Sequence, residues 1–164
     1  MPIRKRCSKE FVGNGRENDM GMEIERKYLI KDMPNLDKCE KEVIEQGYLN
    51  KKPVIRVRRS NDDYYMTYKG KGLMAREEYN LPLNKEAYEH LVTKCDGNII
   101  KKVRYIIPIE NELIVELDVF SYPEGLVMAE VEFPDIETAN SFKAPEWFGE
   151  EVTDDPKYHN VNMI

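Results

Sequence analysis

Apolar and charged residues alternate in short runs along most of the chain after residue 21. In the run MEIERKYLI, Glu23, Glu25 and Lys27 fall on one side of the chain. Ile24 and Tyr28 fall on the other. A period of two residues is that of a β-strand, whose successive side chains point to opposite faces. The pattern predicts a mainly β protein (α+β) with eight strands, at residues 22–30, 43–50, 53–60, 63–70, 73–82, 100–109, 112–120 and 126–134.

Residues that favour turns separate several of these strands. Such groups stand between consecutive strands at residues 61–63, 70–72 and 110–111. Because short turns of this composition join antiparallel neighbours, the flanking strands are expected to pair as hairpins.

Few segments carry the signals of a helix. Asn84 and Asp135 are suitable N-cap residues for helices predicted at 85–95 and 136–143. A third, short helix is predicted at about 35–42. The helices are expected to flank the sheet rather than to form the core.

The chain of 164 residues is long enough for one domain with its own core. Residues 1–21 show no hydrophobic period and are predicted to be a flexible N-terminal arm, so the structured domain is expected to span 22–164. Cys7, Cys39 and Cys95 are widely spaced and odd in number. This usage indicates a reducing compartment, and the protein is expected to be cytoplasmic.

Charge is abundant but nearly balanced. The chain has 25 Lys and Arg against 31 Asp and Glu, a net charge of -6, and 34% of its residues are charged, against roughly 25% in an average soluble domain. The acidic total argues against nucleic-acid binding, which requires a basic surface. No apolar run is long enough for a membrane span, so no membrane association is expected.

The charged residues follow the strand period in pairs of like sign. Carboxylates stand two residues apart at 23 and 25, 116 and 118, and 130 and 132, and bases do so at 56 and 58, and 102 and 104. On one strand this pattern is typical of a solvent-facing surface. Charged residues alternate with apolar ones on seven strands, and five of these strands carry a like-charge pair. This recurrence favours a ligand of opposite charge, because like-charged neighbours are unfavourable without one.

If the eight strands close into a barrel with these faces inward, the lumen holds equal numbers of acids and bases. The bases suit phosphate oxygens and the carboxylates suit Mg²⁺ or Mn²⁺. The predicted substrate-binding residues are Lys27, Arg56, Arg58, Lys69, Arg76, Lys102 and Arg104. The predicted metal ligands are Glu23, Glu25, Glu78, Glu116, Asp118, Glu130 and Glu132. Because these charges cancel, the acidic excess belongs to residues outside the lumen, and it does not exclude an anionic ligand.

An ordered series of motifs resembles the CYTH, or triphosphate tunnel metalloenzyme, superfamily. Residues 23–27 match its ExExK signature. The match continues through RVRR (56–59), TYKG (67–70), AREEYN (75–80), KKVRY (101–105), VELDVF (115–120), MAEVEF (128–133) and EVTDDPKYHN (151–160). The resemblance implies a closed antiparallel eight-stranded barrel that forms a tunnel.

The resemblance also assigns roles by position. It implies metal ligands at Glu23 and Glu25, joined by Glu130 or Glu132, with Asp118 as a further candidate. It implies a triphosphate cradle formed by Arg56, Arg58, Lys69 and Arg104. It implies that Lys27 contacts the scissile phosphoryl group. Lys27, Glu25, Arg56 and Arg58 are thus the predicted catalytic residues. Asn80 departs from the family, which often has a carboxylate there.

The activity that the resemblance implies is metal-dependent hydrolysis of a triphosphate to diphosphate and phosphate. Inorganic tripolyphosphate is the favoured substrate, because small stand-alone members that begin EIERK resemble tripolyphosphatases. Class IV adenylyl cyclase, nucleoside or thiamine triphosphatase, and a non-catalytic polyphosphate-binding module are the alternatives. The Glu23 and Glu25 pair argues against the last, because an anion binder gains nothing from carboxylates without a metal. A monomer and a homodimer are both compatible with the sequence. His159, in the C-terminal motif, is a candidate for closing one tunnel mouth.

Overall fold

Nine strands and two helices form the part of the chain that the computed structural model describes, residues 22–164. The strands are β1 Met22–Ile30, β2 Glu40–Lys51, β3 Val54–Ser60, β4 Asp63–Lys69, β5 Ala75–Leu83, β6 Asp96–Pro108, β7 Ile114–Tyr122, β8 Val127–Glu132 and β9 Phe148–Glu151. The helices are α1 Lys85–Val92 and α2 Ile136–Ser141, and single 3-10 turns lie at Glu110–Glu112, Pro156–Tyr158 and Asn160–Asn162. The predicted arm lies outside the described residues.

The strands form one antiparallel sheet that closes on itself. Their order is β5-β4-β3-β2-β6-β7-β8-β1, and the first residues of β1 pair with β5 to complete the ring. The predicted eight-stranded antiparallel barrel is therefore confirmed. At the β3–β4 turn, Asn61 has a φ of 52°, a left-handed conformation that asparagine tolerates better than most residues.

A ninth strand, β9, was not predicted. It pairs with β1 at Tyr28 and Ile30, while β5 pairs with the same edge of β1 at Met22–Ile24. The four residues of β9 are too few to show an alternating pattern. Strand β9 therefore extends the sheet where β5 has left the edge of β1.

The two main predicted helices are present, and each begins at the predicted cap. The Asn84 side chain accepts a hydrogen bond from the Ala87 amide at 2.8 Å, and Asp135 accepts one from Thr138 at 2.7 Å. The third predicted helix, at 35–42, is wrong. The Asn35 side chain there accepts a hydrogen bond from an amide two residues on, which fixes a turn instead. Strand β2 then begins three residues earlier than expected.

The outer face of β1, β7 and β8 carries the main hydrophobic core. Buried side chains from these strands pack against α2 and the segment that leads to β9. The core comprises Tyr28, Leu113, Val115, Leu117, Ala129, Val131, Phe133, Ala139 and Phe148. This layer supports the strands whose opposite faces carry the acidic motifs.

One end of the barrel interior is apolar. Inward-facing side chains from β2, β3, β6, β7 and β8 form a second core there, consisting of Tyr48, Val54, Ile100, Phe120 and Met128. The end of the chain packs against it through Tyr158, Val161, Met163 and Ile164. The C-terminal segment therefore closes one end of the barrel, and the charged interior opens toward the other.

Candidate functional site

The predicted site residues all lie on the inner face of the barrel, within reach of one another. Most are buried: Glu25, Lys27, Arg56, Arg58, Lys69, Lys102, Arg104, Asp118 and Glu130. The others, nearer the open end, are Glu23, Arg76, Glu78, Glu116 and Glu132. The strand period thus brings together side chains from seven strands.

Lysine 69 lies between two carboxylates at the β1–β5 junction. Its Nζ is 2.8 Å from Glu23 and 3.2 Å from Glu78. Burial and the neighbouring charge of Glu25 raise the pKa of Glu23 well above its usual value, and its hydrogen bond with Glu78 adds to this. Glu23 therefore favours its protonated form, hydrogen-bonded to Glu78, although the positive charge of Lys69 opposes this.

Lysine 27 is the central cation of β1. Its Nζ lies 2.7 Å from Glu130 and 2.8 Å from Glu25, and the side chain is 3% exposed. Burial opposes its charge, but these two carboxylates outweigh burial and raise the pKa of Lys27. Burial likewise opposes the charge of Glu25, whose pKa is nevertheless lowered by Lys27. Both groups are therefore charged at neutral pH.

The main chain of Lys27 is held by the segment after β9. Its amide donates to the Thr153 hydroxyl at 3.0 Å, and its carbonyl accepts from the Val152 amide at 2.8 Å. The buried ring of His159 contacts the Thr153 carbonyl through Nε2 at 3.0 Å. The C-terminal motif therefore fixes the strand that carries Lys27, and His159 acts on the backbone of that motif.

A second group of charges is buried deeper, between β6 and β7. Asp118 accepts two hydrogen bonds from Arg104, at Nε and Nη2, both 2.7 Å. Lys102 donates to the same carboxylate at 2.5 Å, and neither the Lys102 nor the Asp118 side chain is exposed. Arg104 also pairs with Glu130 at 3.1 Å and with Glu116. Both Asp118 oxygens are thus occupied by protein cations.

The two arginines of β3 differ from the other buried cations. No ion pair among residues 22–164 includes Arg56 or Arg58. Arg56 donates to the Thr67 hydroxyl at 3.1 Å. Arg58 donates to the Gln46 side chain and, at 3.2 Å, to the Tyr65 hydroxyl. These hydrogen-bond partners are uncharged. Burial opposes the charge of Glu78, but Lys69 and then Arg56 lower its pKa, so the charge of Arg56 is partly compensated, whereas Arg58 has no carboxylate partner within the described part of the chain.

Asn80, which departs from the family pattern, links the two sides of the tunnel. Its Oδ1 accepts from Thr67 at 2.6 Å, and its Nδ2 donates to Glu78 at 2.8 Å. Sequence reasoning did not select Thr67, Gln46 or Tyr65 as site residues. Tyr65 and Thr67 share the strand parity of Lys69, and this was the available signal for them, whereas no charged site residue lies on the strand of Gln46.

Several carboxylates suit a divalent cation in charge and donor type. Oε1 of Glu25 and Oε2 of Glu78 are buried without a hydrogen-bond partner, and Glu25 contacts Lys27 without hydrogen-bond geometry. Loss of hydration raises the pKa of Glu132, and the neighbouring Glu116 raises it further. A hard cation would relieve this crowding. In residues 22–164, no three His, Cys, Asp or Glu side chains already converge on one point.

The fold and its interior define the protein as an eight-stranded barrel with a charged tunnel closed at one end. Residues 21–159 match the CYTH domain family, and the chain belongs to that family. The family that the sequence motifs indicated is therefore confirmed.

Two curated relatives are similar over most of this chain. This chain is 35% identical over 142 residues to an inorganic triphosphatase of Nitrosomonas europaea. The matched region covers 84% of this chain and 93% of the relative. This chain is also 39% identical over 151 residues to an inorganic triphosphatase of Acetivibrio thermocellus. That matched region covers 88% of this chain and 94% of the relative.

Solved structures share the fold. The crystal structure of the inorganic triphosphatase NE1496 superposes with a TM-score of 0.64 at 33% identity, covering 85% of this chain and 92% of that one. A putative adenylyl cyclase from Hippeastrum has a TM-score of 0.52 at 14% identity, covering 74% and 83%, which shows a common fold alone. No helix within residues 22–164 is long and apolar enough to cross a membrane.

Proposed function

We propose that this protein hydrolyses a triphosphate to diphosphate and phosphate, with a divalent metal ion, and that inorganic tripolyphosphate is the favoured substrate. The observation that carries the proposal is the pair of buried arginines on β3, Arg56 and Arg58, whose hydrogen-bond partners are all uncharged. A buried guanidinium pair that is in no ion pair binds a polyanion strongly. The two inorganic triphosphatases similar to this chain support the same activity.

The basic residues would bind the substrate and stabilise the charge that develops on the transferred group. Lys27 has three N–H donors, of which Glu130 takes one while Glu25 contacts the ammonium as an ion pair, so donors remain for a phosphoryl oxygen. Arg56 uses one of its five N–H donors on Thr67. Phosphoryl transfer depends chiefly on such positioning and charge stabilisation.

The acidic side of the tunnel would hold the metal. Glu23, Glu25 and Glu78 supply buried carboxylate oxygens there, and two of these oxygens have no hydrogen-bond partner. Mg²⁺ or Mn²⁺, when bound, supplies polarisation of phosphate oxygens and lowers the pKa of a bound water. Asp118 is a poorer candidate, because Arg104 and Lys102 already engage both of its oxygens.

The substrate is tested by one panel. Purified protein with Mg²⁺ or Mn²⁺ is given tripolyphosphate, ATP or thiamine triphosphate, and phosphate, diphosphate and cyclic AMP are measured. We expect the highest kcat/KM on tripolyphosphate, with phosphate and diphosphate as products. If ATP were converted to cyclic AMP and diphosphate as fast as tripolyphosphate is hydrolysed, or faster, the protein would be an adenylyl cyclase and the proposal would be wrong.

The role of the acidic side is tested by Glu25→Gln. This change removes a ligand charge from β1, and we expect metal-dependent hydrolysis to fall by about 10²-fold or more. Glu77→Gln is the matched control, because Glu77 lies on the outer face of β5 and is exposed. Full activity of the Glu25 variant would remove Glu25 from the metal site.

We also propose a cytoplasmic location, which the free thiols of Cys39 and Cys95 support.

A further inference from the structure

Gln46, on β2, is fully buried and contacts Arg58 on the neighbouring strand. Its Oε1 accepts hydrogen bonds from Nε and Nη2 of Arg58, at 2.9 and 2.6 Å. Its Nε2 donates to the Tyr48 hydroxyl at 2.9 Å, and Tyr48 is itself buried in the apolar closed end. The amide therefore connects the guanidinium of Arg58 to a rigid part of the barrel.

This partner differs in charge from those of four of the five other buried Lys and Arg side chains in residues 22–164, Arg56 being the exception. Lys27, Lys69, Lys102 and Arg104 each contact at least one carboxylate within 3.2 Å. The guanidinium of Arg58 has an amide and a tyrosine as its partners instead. A carboxylate at position 46 could accept the same two hydrogen bonds from Arg58. Its negative charge would, however, neutralise the positive charge of the Arg58 guanidinium.

The geometry also leaves part of the guanidinium free to bind a ligand. Of its five N–H donors, Gln46 takes two and Tyr65 takes one, so one N–H on Nη1 and one on Nη2 remain. Burial and the neighbouring charge of Arg104 oppose the charged form of Arg58, but Tyr65 outweighs them and raises its pKa. An anion between the two arginines would relieve their mutual repulsion. The unused donors and the uncompensated charge thus belong to the same side chain.

We propose that Gln46 is a positioning residue for the substrate, and that its neutrality is essential. It orients Arg58 through two hydrogen bonds while leaving the charge of Arg58 available to a phosphoryl group of the triphosphate. This inference rests on the proposed function, because it takes a triphosphate as the ligand.

Gln46→Glu tests the charge at constant shape. The carboxylate can accept from Nε and Nη2 of Arg58 and from the Tyr48 hydroxyl, so every buried hydrogen bond has a counterpart. We expect the thermal midpoint to be unchanged or higher. We expect the Kd for tripolyphosphate, measured by calorimetry on the metal-free protein, to rise by about tenfold or more. The KM for tripolyphosphate should rise in parallel.

Two further variants separate charge from packing. Gln46→Met is neutral but cannot accept a hydrogen bond, so it should lower the thermal midpoint and weaken binding less than Gln46→Glu. Asn98→Asp makes the same amide-to-acid change at an exposed residue that also contacts a tyrosine hydroxyl, that of Tyr122 at 2.7 Å. It should leave the Kd unchanged.

The outcomes are distinct. The inference is overturned if the Kd of the Gln46→Glu variant for tripolyphosphate lies within twofold of that of the unmutated protein. It is also overturned if Gln46→Glu and Gln46→Met lower the thermal midpoint equally and weaken binding equally. If the unmutated protein binds tripolyphosphate but does not hydrolyse it, the proposed function fails while the Gln46 comparison still stands. If it does not bind tripolyphosphate at all, both are overturned.

Discussion

Replacing Asp118 with Asn should strongly destabilise the protein even without metal or substrate. The change leaves Lys102 and Arg104 buried beside a neutral amide, which can accept from one of them but presents a donor to the other. Breaking a fully buried ion pair in this way costs about 3–5 kcal/mol, because a charge remains buried without a partner. For a chain of this size the thermal midpoint should fall by roughly 6–20 °C. Circular dichroism during heating, in metal-free buffer, measures the shift.

The matched control is Glu116→Gln, which makes the same change at the next inward-facing position of β7. The Glu116 side chain is 28% exposed and Arg104 keeps its bonds to Asp118, so we expect a loss of about 1 kcal/mol or less. A midpoint for Asp118→Asn within 2 °C of the unmutated protein would refute the structural role. If that variant were also unable to bind Mn²⁺, Asp118 would be a metal ligand instead.

Two further changes test the electrostatics of the interior and its closed end. Burial lowers the pKa of Lys102 to about 7 although Asp118 opposes this, whereas an unfolded lysine titrates near 10.4. Between these values the unfolded chain binds more protons, so stability should rise with pH by at most about 1.4 kcal/mol per unit. Lys102→Met should reduce this rise of stability with pH, measured by urea titrations at pH 7 and 9. An equal rise in the variant and the unmutated protein would contradict the lowered pKa of Lys102. Gly97 has a φ of 65°, and an added Cβ would lie 3.1 Å from the Ile164 side chain. Gly97→Ala should therefore cost about 1–3 kcal/mol and speed carboxypeptidase trimming of the C-terminus, and an unchanged trimming rate would argue against a docked C-terminus.

The alternation of charge was sufficient to predict the strands and their shared charged face, and the family resemblance implied that the strands close into a barrel. Successive side chains in a strand point to opposite faces, so Glu23, Glu25 and Lys27 had to share a side whatever the neighbouring strands were. Short elements were less predictable. Strand β9 has too few residues for a period to appear, and the turn at Asn35 has the composition of a helix start.

The pairing of charges inside the barrel depends on register, which one sequence does not contain. Asp118 was a candidate metal ligand by its type and position, yet the register of β6 against β7 sets it beside Arg104 and Lys102. Gln46 was overlooked for the opposite reason. A single neutral residue on a strand is not unusual, and its importance arises only from the cross-strand contact with Arg58.

The interior is electrically asymmetric although its acids and bases are equal in number. The wall formed by β1, β5 and β8 is rich in carboxylates. Burial, together with the neighbouring carboxylates, raises the pKa of Glu23 and Glu132, so this wall favours added positive charge. On β3 the arginines are held by neutral groups, so that wall favours added negative charge. A triphosphate bound alone would meet repulsion from the first wall, and a cation bound alone would meet it from the second. Binding of each should therefore strengthen binding of the other, since each neutralises the field that opposes its partner.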